Sequence, residues 1–303
     1  MTRFTKLDLS QLAPPALIET VDYEAILADQ KAWVQSTWDA YRVGRPDLPT
    51  LDTLMLETEP IVIILEAIAY RETLLRALVN DKARALLLAY SVGTDLDQVG
   101  ALFDTPRRLI DPVNKIYQSD AEYREEIQMA PEAFSVAGPE GSYVYFARRS
   151  HPSLSDAIAI NPHSNRVDVV VLARDGNGVA TSEAVTAAYN ALSPKTTRPL
   201  TDDVHTMSSK PIDAAVRVLI QIGGGPAPET VRANATKALD NYRLLRRRIG
   251  MALRTDGLIG AARSGATGIE KVIVESPAAD VIPDGYSHVH VTSITVDVEV
   301  IDD

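Results

Sequence analysis

The sequence predicts an α+β fold: an N-terminal helical region containing one long helix, followed by two small strand-helix-strand modules. Three observations carry this. Apolar residues at Ile61, Ile64, Leu65, Ile68, Leu75, Leu78 and Val79 recur every three or four residues, the period of a helix face. In the second half the pattern shifts to short runs of β-branched residues, beginning with Val167-Asp-Val-Val-Val-Leu172. The order strand, helix, strand then occurs twice, which suits small sheets each covered on one side by helix.

Taken in order, residues 22–40 alternate apolar and acidic residues at helical spacing, with Ile26, Trp33, Val34 and Trp38 on one face. Pro60 suits a first helical turn, and the apolar stripe behind it predicts a helix to about Tyr90, about 45 Å long. Gly93 can end that helix in a left-handed conformation, and Asp95 can cap a short helix running through Gln98 to Leu102. Ser119-Asp-Ala-Glu122 has the spacing of a capping box and should start a helix over Glu122–Met129. Gly138-Pro139 and Glu140-Gly141 form consecutive turns, with Tyr143, Tyr145 and Phe146 on the helix that follows. The first module is the strand 167–172, the turn Asp175-Gly-Asn-Gly178, a helix over 182–192 capped by Thr181 or Ser182, and a strand over 204–207. The second is a strand over 212–222, a helix over 229–245 and a strand over 272–275, followed by a partly exposed strand over 289–301. The implied domains are an extension over 1–50, a helical domain over 51–137, and α+β modules over 138–210 and 211–303.

Composition narrows the function. At 303 residues and 46% hydrophobic, the chain can bury about three quarters of its unfolded surface. The most apolar window, Ile61 to Tyr70, contains Glu66 and runs into Arg71 and Glu72, so membrane insertion is not expected. Met1-Thr-Arg-Phe-Thr-Lys-Leu-Asp lacks the apolar run of a signal peptide, which points to synthesis in a cytoplasm. The absence of cysteine excludes disulfides, thiolate nucleophiles and cysteine metal sites. Residues 1–137 carry 13 basic against 22 acidic side chains, and residues 138–303 carry 17 against 19. So acidic a surface disfavours a phosphate backbone, and no nucleic-acid partner is expected. The basic cluster Arg246-Arg-Arg248 closes a helix, where cations complement the dipole.

No reaction centre emerges. Gly223-Gly-Gly225 lies between a strand and a helix, but the lysine and hydroxyl of a phosphate loop are missing, and a strand-to-helix turn is the plainer reading. His288 and His290 share a strand face but have no third ligand nearby, so they read as two surface histidines. His151, His163 and His205 are scattered. Asp175-Gly-Asn-Gly178 opens like a calcium loop but lacks the later acidic ligands. Ser142 has no histidine at a telling position, and the pairs Glu125/Glu126 and Asp202/Asp203 point apart or to solvent. Neither a cofactor nor a metal is expected.

The ordered series Asp120-Ala-Glu-Tyr-Arg-Glu-Glu-Ile127, Gly138-Pro-Glu-Gly141 with its aromatic helix, Val167–Leu172, Asp175–Gly178 and Arg198-Pro-Leu-Thr-Asp-Asp-Val204 resembles the baseplate J-like family of contractile phage tails and tail-derived particles. The resemblance runs from about Leu51 to the C-terminus, and residues 1–50 match least. It departs from the family pattern at Glu126, where a basic residue is expected; that position is taken as helix surface.

The resemblance implies a structural baseplate wedge component rather than an enzyme, assembled into a virion or tail-like particle. Its partners would be a second copy of itself, a different wedge protein of the tail protein I type, a sheath initiator with a lysozyme-like fold, and the central hub and spike. Copies would encircle the hub and relay the trigger for sheath contraction. On this basis Ile61, Ile64, Leu65, Ile68, Leu75 and Leu78 are candidates for a multi-subunit helix bundle, the alternative being a helical hairpin packed on itself. Gly138, Pro139, Gly141, Tyr143 and Tyr145 are candidates for a hinge between the helical and α+β halves, the alternative being a tight turn with core packing. Ring contacts between neighbouring copies are expected within residues 211–303. A small α/β-type enzyme and a receptor-binding module are the rival classes.

Overall fold

The computed structural model describes residues 7–301 apart from 14, 16–18, 55, 136–137, 195–196, 225–226 and 266. The chain divides into two compact units, Leu7–Leu102 and Phe103–Asp303.

In the first unit, helix α1 (Tyr23–Val43) packs on α2 (Pro60–Ala85), and α3 (Gly93–Ala101) follows. Asp22 sets the start of α1 by accepting from the backbone N–H groups of Glu24 and Ala25 at 2.9 and 3.3 Å. The hairpin core is small: Ile26, Leu27, Leu54, Val62, Leu65 and Ala69. Buried Asn80 exchanges two hydrogen bonds with the backbone of Glu19, at 2.8 and 3.1 Å, tying the entering chain to α2. Helix α2 stops at Ala85, five residues short of the expected Tyr90, because Leu86, Leu87 and Tyr90 bond back three residues and tighten the coil. Gly93 is left-handed as expected, at φ +54°, but it opens α3, whose cap position is Val92 rather than Asp95.

The second unit begins with the hairpin β1 (Leu109–Asp111) and β2 (Ile116–Tyr117) and the helix α4 (Asp120–Met129). Ser119 caps α4 by accepting from the Glu122 N–H at 3.4 Å. The reciprocal half of the capping box is replaced, since Glu122 Oε1 turns to Arg174 instead. Next come α5 (Glu140–Arg149), β3 (Leu154–His163), β4 (Arg166–Ala173), α6 (Ser182–Leu192) and β5 (Asp203–Ser208). The sheet order is β3-β4-β5, with β3 antiparallel and β5 parallel to β4, so α6 is the crossover. Thr181 caps α6 through the Ala184 N–H.

A second sheet follows from β6 (Lys210–Ile222), α7 (Pro228–Arg246), α8 (Thr255–Ser264), β7 (Ile269–Ser276) and β8 (Ser287–Val300), in the order β7-β6-β8. Alternate residues of β6, from Ala214 to Ile222, face Val231, Ala235 and Leu239 of α7 and Leu258 and Ala262 of α8. Strand β8 runs parallel to β6 from Lys210↔Ser287 to Ile222↔Val300. Gly225 of the glycine turn lies outside the described residues, and Gly223 precedes α7 by a few residues.

Strand β4 explains how the two sheets hold together. Val167, Val169 and Val171 face the core under α5 and α6, while Val170 and Leu172 face the other way, with Ile158 and Ile160 of β3. A strand buried on both faces reads as a continuous apolar run, as this one does. The second face is covered by Ile249, which is fully buried, and by Tyr286, both from the second sheet's module.

Polar groups ring that plug. The Ile249 N–H donates to buried Asp156 at 3.1 Å, and the Tyr286 hydroxyl donates to buried Asp168 at 2.9 Å. His288 is not a surface residue, contrary to the sequence expectation. It is wholly buried, with Nε2 2.7 Å from the Asn177 carbonyl and Nδ1 2.9 Å from Ser209 Oγ. The carbonyl can only accept, so the ring proton sits on Nε2 and Ser209 donates to Nδ1. Gly178 makes the approach possible: at φ +88° it is left-handed, and a Cβ there would collide with His288 and Leu172. Arg247 leaves the helix end to bond the carbonyls of Asp175 and Gly176, at 3.2 and 2.8 Å, and Arg248 pairs with Glu125. The Arg246–Arg248 cluster is therefore mainly a clasp between modules; only Arg246 stays on the helix, over Tyr242.

Two outcomes follow. Ile249→Ala should cost about 2–5 kcal/mol of unfolding free energy, read from urea denaturation, because the plug leaves a cavity between two packed modules. Burial, together with the charge of Arg247 and the neighbouring His290, holds the His288 imidazole below its ordinary range, against the Asn177 carbonyl and Asp156, which act the other way. The unfolded chain then takes a proton that the folded chain refuses, so this contribution is complete above about pH 6.5 and drains away below it. Melting temperature should fall from pH 7.5 to 5.5, and more gently in His288→Asn.

Candidate assembly surface

Helix α2 carries apolar residues on more than one side, but its hairpin partner covers only one of them. Val62, Leu65 and Ala69 are buried against α1. Ile64, Ile68, Leu75 and Leu78 are 58, 50, 59 and 51% exposed. Their spacings of four, seven and three residues place them on one line, broken by Arg71 and extended by exposed Val79. From Ile64 to Leu78 the line spans about 21 Å. Of the six candidate interface residues, four thus lie in the open; Leu65 lies within the hairpin core, and Ile61 is half-buried against it. Interrupted only at Arg71, the strip is an exposed apolar patch of the kind that marks an interaction surface.

The segments singled out in the second unit meet in space. Gly138, at φ +78°, sits where a Cβ would come 2.9 Å from Pro199 and 3.2 Å from Asp202. Pro139 caps α5, and Gly141 lies in its first turn, where a Cβ would come 2.6 Å from Glu132. Tyr143 is buried, and its hydroxyl donates to Asp202 at 2.5 Å. Burial and that carboxylate hold its hydroxyl proton well above the usual tyrosine range. Arg198 in turn donates to the Asp202 carbonyl. Tyr145 reaches Thr105 Oγ1 at 2.9 Å, and Tyr123 donates to the Thr105 carbonyl at 2.6 Å. The Gly138 and Arg198 segments, 60 residues apart in sequence, thereby form one packed corner around α5.

Glu126 is the residue that sequence reasoning most misjudged. It is 2% exposed, not on a helix surface, and accepts from Arg108 at 3.2 Å, Arg149 at 3.1 Å and Gln118 at 2.5 Å. Glu125, one residue earlier, takes Arg148 and Arg248 at 3.7 and 2.5 Å, so this pair points to arginines rather than to solvent. With Glu122 on Arg174, one face of α4 presents three carboxylates to arginines from four other segments. Burial lowers the pKa of Arg108 below the ordinary arginine value, and the neighbouring guanidinium groups add to the effect. The signal available in the sequence was the helix period: 122, 125 and 126 share a face that also carries buried Met129.

The remaining candidates are scattered. His290 pairs with Asp213 and His205 with Asp203, while His151 bonds Ser153. Among the described residues no three metal-ligating side chains gather, and no helix is long and apolar enough to cross a membrane.

The Baseplate J-like N-terminal domain matches residues 57–125, from the start of α2 into α4, and the Baseplate J-like central domain matches residues 135–208, from α5 through β5. Baseplate protein J of Escherichia phage P2 is 34% identical over 287 residues, which cover 91% of this chain and 92% of that protein. The chain belongs to the baseplate J-like family. It is accordingly a structural baseplate component, and association with other baseplate proteins comes with that membership. The corner around α5 falls inside the central-domain match, while the α2 strip and the carboxylates of α4 up to Glu125 fall inside the N-terminal one.

Glu126→Ala should cost about 3–5 kcal/mol, since it strands two guanidinium groups beside a closed core. Glu126→Gln, which keeps the shape but not the charge, should fall between it and the parent protein in chemical denaturation.

Proposed function

We propose that the chain is a wedge subunit of a contractile tail baseplate, with the exposed strip of α2 as its main assembly surface. The open line Ile64, Ile68, Leu75 and Leu78 carries this reading, because all four are at least half exposed among the described residues. A helical bundle with a second copy of this chain and one copy of a tail protein I-like wedge protein would bury it in coiled-coil fashion. The sheath initiator and the hub and spike are the further neighbours of such a wedge. Contacts between wedges fall to residues 211–303, where β8 ends the second sheet. Triggering then rearranges these lateral contacts while the bundles persist, which requires the bundle to be the stronger joint. In the same reading the Gly138-Pro139 turn seats the preceding helical sequence on the first module, with Tyr143 and Tyr145 anchoring it through Asp202 and Thr105.

Co-expression with the neighbouring tail genes and mass measurement of the purified complex tests the proposal. A complex of fixed stoichiometry containing a helical partner is expected, and Leu75→Glu with Leu78→Glu should reduce its yield at least tenfold while the circular dichroism of the free chain stays unchanged. Free monomer in every combination would overturn it.

A further inference from the structure

Beside the α2 strip, α1 and α2 enclose an open groove of about 540 Å³ within the first unit. Its floor is apolar, formed by Val21, Ile26, Val34, Leu65 and Ile68. Its charged lining is three carboxylates and one guanidinium. Asp22 is spent on the start of α1 and Glu72 on Arg76 and Gln30, which leaves Asp29 as the carboxylate open to a ligand; Arg76, the one cation among the lining residues, is itself spent on Glu72 at 2.6 Å and Glu19 at 3.4 Å. Gln30 gives its amide N–H to Glu72 at 3.1 Å, and its carbonyl oxygen is enclosed without a donor. At the mouth lies the indole of Trp33, 68% exposed.

Each of these features selects the same chemistry. A carboxylate above an apolar floor attracts a cation, and an open indole face binds a guanidinium or ammonium group. An acidic segment would set like charge against Asp29 and leave the indole face without a cation.

We propose that this groove is the docking site for a cationic amphipathic segment of a partner chain, which seats an apolar side chain on the floor and sets flanking lysine or arginine against Asp29 and Trp33. This deepens the bundle reading, on which it rests in taking another baseplate chain as the occupant; the residues that define it are separate from Leu75 and Leu78. Occupant chemistry is what the groove adds: the α2 strip is apolar and would accept many helices, whereas the groove rejects those with acids beside the anchor residue.

The two tryptophans, Trp33 and Trp38, both lie on α1, so Trp38→Phe in the full chain leaves Trp33 as the sole indole reporter. The probes are a synthetic leucine-lysine amphipathic helix and its leucine-glutamate counterpart. Saturable, one-to-one change of Trp33 emission is expected with the lysine peptide, weakened tenfold or more by Asp29→Lys and by less than threefold by Asp47→Lys on the exposed loop beyond α1. Equal loss from both reversals would mean diffuse attraction to an acidic protein and would overturn the proposal. So would equal binding of the glutamate peptide, or a Trp33 response that appears without peptide as concentration rises, which would identify a second copy as the occupant. Loss of the wedge complex in Leu75→Glu with Leu78→Glu, alongside unchanged peptide binding, would separate the groove from the strip.

Discussion

Everything in the second unit depends on a single strand having to be covered twice. Strand β4 buries valines toward α5 and α6 and a second apolar set toward the module built on β6. Neither sheet is finished alone: the first would expose Ile158, Ile160, Val170 and Leu172, and the second would leave Ile249 and Tyr286 without a seat. The ring of hydrogen bonds through Asp156, Asp168, His288 and Arg247 adds less attraction than orientation, because each is exchanged for water on undocking. Apolar burial drives the two modules together, and the polar ring fixes how they meet.

The architecture was legible where burial is one-sided or where a run is uniformly apolar. The α1 and α2 helices, β4, α6, β6 and α7 stand close to their expected spans, since each has a clear period or an unbroken β-branched run. Strand β3 was missed because small or polar residues interrupt its apolar ones: Ser155, Asp156, Ala157 and Ala159 stand among Leu154, Ile158 and Ile160, so no unbroken β-branched run marks it. Helix α8 was missed because Gly257 and Gly260 depress helix propensity in a segment held by packing on α7. For the assembly surface, the stripe could be read but its division could not: only the position of α1 determines that Leu65 turns inward while Ile64 and Ile68 stay out.

Charge proved hardest to place. The acidity of the first 137 residues looked like a solvated surface, yet Glu122, Glu125 and Glu126 are spent on arginines that the chain supplies from positions 108 to 248. Long-range pairing of this kind leaves no local trace, because neither partner's neighbours reveal the other.

The register of β6 against β8 sets the timing of folding. Lys210 waits for Ser287 and Ile222 for Val300, so the second sheet closes only after α7, α8 and β7 have been laid between them. Such distant pairing is slow, whereas the α1 and α2 hairpin joins helices adjacent in sequence and is quick. During synthesis, then, the helical end has its own contacts in hand while the far end is still a loose thread.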